Sequence, residues 1–350
     1  MLTDSEFVRQ WLVHRSDVLG LDSASLSVRD VRPMSRGVSR QTWSVLVDDD
    51  SGEHPLMVRR DHEVGSVIPT SLETEYAVYS ALAGTGVPHA RALWWEDDPA
   101  WMPDGRPAYI RESIEGDWRL PELSMDPAEV ADRRIDLARE HIRRLAQVHA
   151  VDWRGVGLDR ILGAPESPQD AAATVVDGLL DQLRRYQGAP SVAAAEAIAT
   201  LRARAPRDLD RLAFCKGTNG HGEEVWRDGR IVAMSDWELA AIGDPAFDFA
   251  QCQELVADIV VDNRRIWGMP EALAYYGELT GSTVTLERVA YYREVMALLQ
   301  HVYTQHAAWV VRRHAVPPLR FVWTATEVAF RSELRLAAEY TGNLLTEQVA

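Results

Sequence analysis

The stretch FCKGTNGHGEEVWRDGRIVAMSDWELAAIGDPAFDFA, Phe214 to Ala250, decides how the rest of the chain is read. Its second half places Asp236 directly after the apolar run Ile231 to Met234, with Gly243-Asp244-Pro245 and Asp248 following. A carboxylate at the end of an apolar strand is where a metal-holding Asp belongs in a phosphoryl-transfer site. The first half is a loop in which Gly217, Gly220 and Gly222 surround Lys216, Thr218 and Glu223. Glycines of this kind can cradle phosphate, yet they more often only permit tight turns.

Working towards the N-terminus, Leu26 to Met34, Thr42 to Val47 and Leu56 to Arg60 read as consecutive antiparallel strands, the last two separated by the acidic turn Asp48 to Gly52. A helix is expected from Thr70 to Ala83, where Leu72, Tyr76, Tyr79 and Leu82 recur at three-to-four spacing. Two further strands are expected at Ala90 to Trp95 and Ala108 to Ile114. After Glu115-Gly116-Asp117 long helical patterns take over. One starts at Asp126-Pro127-Ala128-Glu129, a capping arrangement, with Ala131, Ile135, Ala138, Ile142 and Leu145 as its buried stripe. Others are expected at Ala171 to Tyr186, Ser191 to Arg204, Pro270 to Thr280, Leu286 to His314 and Thr324 to Tyr340. Leu212 to Trp226 and Ile231 to Trp237 interrupt them as a pair of strands around Arg227 to Arg230. The plan is α+β and two-lobed: a small β-rich lobe over residues 1–115, and a large helical lobe over 116–350. A ligand would bind in the cleft between them.

Composition narrows the function. Lys and Arg number 37 against 53 Asp and Glu, a formal charge of −16, which disfavours nucleic acid and anionic membrane surfaces as partners. The 46% hydrophobic content suits a large buried core. Cys215 and Cys252 lie in apolar contexts and are expected to be buried free thiols. The acidic start, without a basic and apolar leader, reads as cytoplasmic. His301, His306 and His314 do not share a helix face, so a metal site there is not expected. Trp95, Trp101, Trp118 and Trp153 flank loops or the lobe boundary; an indole there could stack on a ligand, although tryptophans are more often partly buried core.

With these elements in order, the chain resembles the aminoglycoside phosphotransferase and choline kinase-like family, whose fold is a reduced protein-kinase fold. Met34 to Trp43 resembles its nucleotide-covering loop, which brings Ser39 and Arg40 to the phosphates. Met57-Val58-Arg59-Arg60 resembles its third strand, with Arg59 as the phosphate-contacting cation and Glu75 as the helix carboxylate that pairs with it. Glu112 to Glu115 resembles the hinge against which adenine lies, so Glu112 and Ile114 are expected at the base. Leu145 to Trp153 resembles the helix end before the catalytic region. The resemblance implies ATP or another nucleoside triphosphate, Mg2+, and a small-molecule hydroxyl acceptor.

The family's catalytic loop reads His-Gly-Asp, with an Asn five residues after the Asp and a second Asp eighteen after it. Here Lys216-Gly217-Thr218 fills the triplet, Glu223 stands at the Asn position and Asp236 at the second Asp. Spacing is kept, so these are substitutions within an intact loop. Thr218 is a poor base, and losing a general base typically costs about 10²- to 10⁴-fold in rate. Glu223 offers Mg2+ the hard oxygen it wants. Thr218, Glu223 and Asp236 sum formally to −2, as the usual trio does. Two readings follow. In one, Glu223 or Glu224 takes the metal or base role and Lys216 steadies the transferring phosphoryl group, giving an atypical kinase. In the other, the chain is a silent pseudokinase that binds nucleotide or ligand. Asp244 and Asp248 are read as structural, His149 as packed within its helix end, and His221 as a loop residue that could touch substrate.

Overall fold

A computed structural model of the chain describes residues 2–34, 39–187, 190–220, 222–252 and 254–340. Helices α1 (Ser5–His14) and α2 (Ser16–Leu19) precede an antiparallel sheet of β1 (Ser27–Met34), β2 (Gln41–Asp49), β3 (Gly52–Arg60), β4 (Ala92–Glu96) and β5 (Ala108–Glu112), with α3 (Leu72–Ala81) inserted after β3. Spatial order is β1-β2-β3-β5-β4. Alternation along the strands gives the sheet two different faces. Val45 and Val47, Leu56 and Val58, and Ala108 and Ile110 form one cluster with Val8, Trp11 and Leu12 of α1. The opposite face carries Ser44, Met57, Arg59, Tyr109 and Arg111 towards α3 and the second lobe. The sequence reading missed α1, although Asp4 caps it by accepting from Glu6 N and Phe7 N. Trp11 Nε1 and Arg15 hold it to the buried Glu96 carboxylate of β4, at 2.8 and 2.7 Å.

The chain leaves the sheet through residues 113–117. A Cβ on Gly116 would meet Trp226 O and Val225 Cγ1 at 2.6 Å, so only glycine allows this crossing. Then follow α4 (Ala131–His149), α5 (Leu158–Leu162), α6 (Ala171–Tyr186) and α7 (Val192–Ala203). The expected start of α4 at Asp126 is corrected to Ala131. Asp126 closes its own turn, Oδ1 accepting from Ala128 N at 2.9 Å and the carbonyl from Glu129 N at 3.1 Å, and the α-helical ladder begins at Val130 O. Its buried face also differs from the expected stripe: Ala131 and Ile135 are only partly buried, and the buried set includes Glu140 and His141.

Strands β6 (Ala213–Cys215), β7 (Glu224–Arg227), β8 (Arg230–Met234) and β9 (Ala241–Gly243) frame the loop region. The long strand expected from Leu212 is broken: β6 pairs with β9, and only β7 and β8 form the hairpin around Asp228-Gly229. Helix α8 (Ala246–Gln251), the hairpin β10 (Ile259–Val261) and β11 (Arg264–Trp267), α9 (Met269–Thr280), α10 (Leu286–Val311), α11 (Leu319–Trp323) and α12 (Ala329–Tyr340) complete the described residues. A π-helical turn at Thr324–Val328 joins α11 to α12, so the last helix starts earlier than expected. Both cysteines are buried and free. Among the described residues no helix is long and apolar enough to cross a membrane. The fold is protein-kinase-like, a β-rich lobe on a helical one.

Candidate active site

A cleft of about 620 Å³ lies between the lobes. Ser44 and Met57 form its roof, Val225 and Ala233 of the β7–β8 hairpin its floor, and Arg111, Ser113, Ile114 and Trp118 its connecting edge. Of the two residues expected at the base, Ile114 lines the cleft, whereas the Glu112 side chain turns away to Arg91 at 2.9 Å. Trp118, which composition alone left between stacking and packing, also lines it. The reading missed Arg111, yet alternation along Ala108–Glu112 places it on the same face as Tyr109.

Arg59 meets Glu75 of α3 at 3.4 Å, and Tyr109 Oη donates to the same carboxylate at 2.8 Å. Arg40 does something the sequence did not announce. Its side chain is fully buried; it donates to Asp61 at 2.9 Å and to Glu238 at 2.5 Å and forms an ion pair with Glu75 at 3.0 Å. Thr70 O and Oγ1 accept from it as well, each at 3.0 Å. Arg40 therefore joins the start of β2, the segment after β3, helix α3 and the Asp236–Glu238 turn of the other lobe, rather than facing the cleft. Ser39 is buried beside it. The remainder of the expected nucleotide loop, 35–38, and His221 lie outside the described residues.

The 216–224 loop is anchored from below. Asp248, fully buried on α8, accepts from Lys216 N at 2.8 Å, Gly217 N at 2.7 Å and His149 Nε2 at 2.9 Å. Burial alone would raise the Asp248 pKa; these hydrogen bonds outweigh it and hold the pKa below the ordinary value. Tyr276 Oη lies 2.8 Å from His149 Nδ1 and fixes the ring from its other side. Asp244 caps α8 through Ala246 N and pairs with Arg288 at 3.0 Å. Gly217 has φ of +82°, and a Cβ there would stand 1.9 Å from Leu239 O.

Within this frame Lys216 turns inwards rather than to a phosphate. It is completely buried, donates to Thr218 O and lies 3.7 Å from Glu224 Oε1. Glu224, at the end of the loop, meets His141 Nδ1 at 3.7 Å, and burial pushes its carboxyl up to about 7. Thr218 Oγ1 and both amide atoms of Asn219 are buried without a hydrogen-bond partner among the described residues.

Glu223 lies close enough to Asp236 for the Asp236 charge to act on its carboxyl. Asp236 has φ of +64°, a left-handed conformation uncommon outside glycine and concentrated at functional turns. Burial first, and the Asp236 charge second, push the Glu223 carboxyl up to about 8. A second negative charge beside Asp236 is costly in such a buried place, and a cation there offsets the cost. Glu223 and Asp236 each adjoin a cleft-lining residue, Gly222 and Ser235 respectively, and two neighbouring carboxylates offer the hard oxygen donors that a divalent ion of the Mg2+ type takes.

A family model described as the phosphotransferase enzyme family matches residues 30–297, which includes most of the sheet, the hinge, the loop and Asp236. The chain belongs to the phosphotransferase enzyme family. Among curated proteins it is 27% identical over 238 residues to acyl-CoA dehydrogenase family member 11 of Gallus gallus, covering 63% of this chain and 27% of that one. It is 25% identical over 244 residues to acyl-CoA dehydrogenase family member 10 of Mus musculus, covering 66% and 21%. The chain thus spans about a quarter of the length of the curated relatives it matches. Among solved structures, a Ralstonia eutropha protein described as an aminoglycoside phosphotransferase superposes with a TM-score of 0.65 at 21% identity, over 97% of this chain and 98% of that one. A mutant of aminoglycoside phosphotransferase APH(4)-Ia, in ternary complex with ADP and hygromycin B, gives 0.58 at 16% identity over 95% and 97%. These superpositions establish the kinase-like fold of this family member.

Proposed function

We propose that this phosphotransferase-family member binds a nucleoside triphosphate with a divalent cation and transfers the terminal phosphoryl group to a hydroxyl of a small molecule. The placing of Glu223 beside Asp236 carries the reading. A buried carboxyl set beside a second carboxylate adds nothing to packing and suits a metal. Glu223 and Asp236 would hold the cation, whose role is to neutralise the triphosphate. Arg59, oriented by Glu75, would meet the phosphates. Ile114 and the hinge backbone would hold the base, with Ser39 and Arg40 shaping the covering segment. We take 1–115 as the nucleotide-binding lobe and 116–350 as the acceptor-binding lobe. That a fold relative was crystallised with ADP and hygromycin B supports a nucleotide and a small acceptor.

Thr218 would stand beside the acceptor hydroxyl and orient it; as the new O–P bond forms and the nucleoside diphosphate leaves, the hydroxyl proton would pass to an oxygen of the transferred phosphoryl group. Phosphoryl transfer through a loose transition state relies on positioning and electrostatics more than on a strong base. Lys216, being buried, would act through the loop backbone. The same two residues favour a second reading, a silent module that binds nucleotide without transfer.

The test combines thermal-shift titration of ATP and GTP, with and without Mg2+, and turnover over a panel of hydroxyl metabolites by wild type and Thr218→Asp. Mg2+-dependent shifts with wild-type turnover that Asp236→Asn abolishes support the enzyme. Shifts with turnover gained only in Thr218→Asp support the silent module. Absence of any shift sinks nucleotide binding altogether.

A further inference from the structure

The nucleotide cleft contains a buried cation that the proposed chemistry does not use. Arg111 projects from β5 on the face it shares with Tyr109, opposite Met57 in register, and only 8% of it is exposed. Three of the other buried arginines meet carboxylates, Arg40 with Glu75, Arg60 with Asp104 and Arg288 with Asp244, while among the described residues Arg134 on α4 does not. Arg111 has no such partner among the described residues. Its Cζ lies 5.5 Å from the Tyr79 ring centroid, Nη1 donates to Glu112 O at 3.2 Å, and Nε has no hydrogen-bond partner. A guanidinium buried without a counter-charge is costly, and an acceptor-rich ligand group arriving beside it offsets that cost.

The cleft dictates which group this is. A planar base held between Ser44 and Met57 above and Val225 and Ala233 below presents its polar edge to Arg111 and to the backbone from Glu112 to Ile114. Adenine would bring a donor there, its 6-amino group. That group would confront a guanidinium, which is all donors, and a Glu112 carbonyl already accepting from Arg111. Guanine brings two acceptors on one edge, O6 and N7, and an Arg fork on that pair is the commonest specific contact to guanine in nucleic-acid recognition.

We infer that Arg111 selects a 6-oxopurine, so that GTP rather than ATP is the nucleotide of this cleft. The inference rests on the nucleotide-binding reading above and adds the identity of the base. Arg111 is here a specificity residue, reading the base and remote from the transferring phosphoryl group.

The experiment is calorimetric titration of the full chain with Mg2+ and GTP, ITP or ATP. ITP keeps O6 and N7 but lacks the 2-amino group. GTP and ITP are expected to bind about tenfold to a hundredfold more tightly than ATP, the span of one good bidentate base contact. Arg111→Met should erase that preference, and Arg111→Gln, whose amide can donate or accept, should level all three. The Met variant removes an unpaired buried charge at similar length, and circular dichroism confirms that each variant folds. ATP binding as tightly as GTP in wild type overturns the inference and leaves nucleotide binding intact. GTP preferred with ITP resembling ATP overturns it too, since the 2-amino group is then what is read. Failure of all three nucleotides to bind overturns the inference together with the reading beneath it.

Discussion

Arg40→Met is the most searching perturbation of the architecture. Wild-type Arg40 is the shared partner of Glu75, Asp61 and Glu238, with no exposed side-chain surface of its own. Glu75 would keep Arg59 and Tyr109, but among the described residues Glu238 would retain only Thr70 Oγ1 as a hydrogen-bond partner, at 3.5 Å. Breaking a buried ion pair by deleting one member costs about 3–5 kcal/mol. At roughly 2.1 cal/mol/K per residue, unfolding 350 residues carries about 0.7 kcal/mol/K of entropy, so Tm should fall by about 4–7 °C. The loss should depend on pH. Burial, followed by the Asp236 charge, already holds the Glu238 carboxyl at about 7, above its unfolded value, and losing Arg40 raises it further. A raised carboxyl makes the folded chain bind a proton more tightly than the unfolded chain, so its penalty is absent at low pH and grows as pH climbs through the folded value. The variant's deficit should therefore be larger at pH 8 than at pH 6. Differential scanning calorimetry at both values measures it, with Arg9→Met, which breaks an exposed pair with Glu6, as the control that leaves Tm in place. A deficit under one degree at pH 8, or one larger at pH 6, would refute the assignment of Arg40 as the pin between lobes.

Two further outcomes follow from the site. Because Glu223 stands at about 8 and Glu224 and Glu238 at about 7, all raised by burial, the metal-free chain should lose Tm as pH rises from 6 to 8.5. Mg2+ should restore more at pH 8.5 than at pH 6, and Asp236→Asn should remove that gain; a flat profile by scanning fluorimetry would contradict the carboxyl pair. Gly217→Ala should cost about 3 kcal/mol or more in urea unfolding, because φ is +82° and the new Cβ would overlap Leu239 O, whereas Gly220→Ala, with nothing within 4 Å, should be near neutral. Equal effects at the two glycines would mean the loop is not held as described.

What the sequence made legible was local. The alternation in Thr42 to Val47 and Leu56 to Arg60 and the three-to-four spacing around Tyr76 are signals written into a few consecutive residues, and β2, β3 and α3 formed within a few residues of them. Helix α6 ran over Ala171–Tyr186 as expected. Asp126 shows where such signals mislead, since a capping residue that satisfies its own turn leaves the helix to begin later. The order Arg59, Glu75, the loop and Asp236 was visible from spacing, but the direction of each side chain was not. Lys216 and Arg40 are cations in a region expected to meet phosphate, and both are drawn inwards by carboxylates brought close only by folding. Glu238 is 198 residues from Arg40, and no window of sequence relates them. Arg111 was within reach, because a two-residue period through Tyr109 already put it on the cleft face.

The seating of Gly217 and Lys216 on Asp248 has an evolutionary consequence. The loop's path is set largely by main-chain amides resting on a carboxylate that is itself braced by His149, and the side chains at 218 and 223 take no part in that seating. Shape and reactivity are thereby inherited separately. A lineage can exchange the reactive side chains, even reverse the charge at one of them, while the mould that presents them stays the same. Restoring an acid at position 218 would then demand one codon change and no refitting of the backbone.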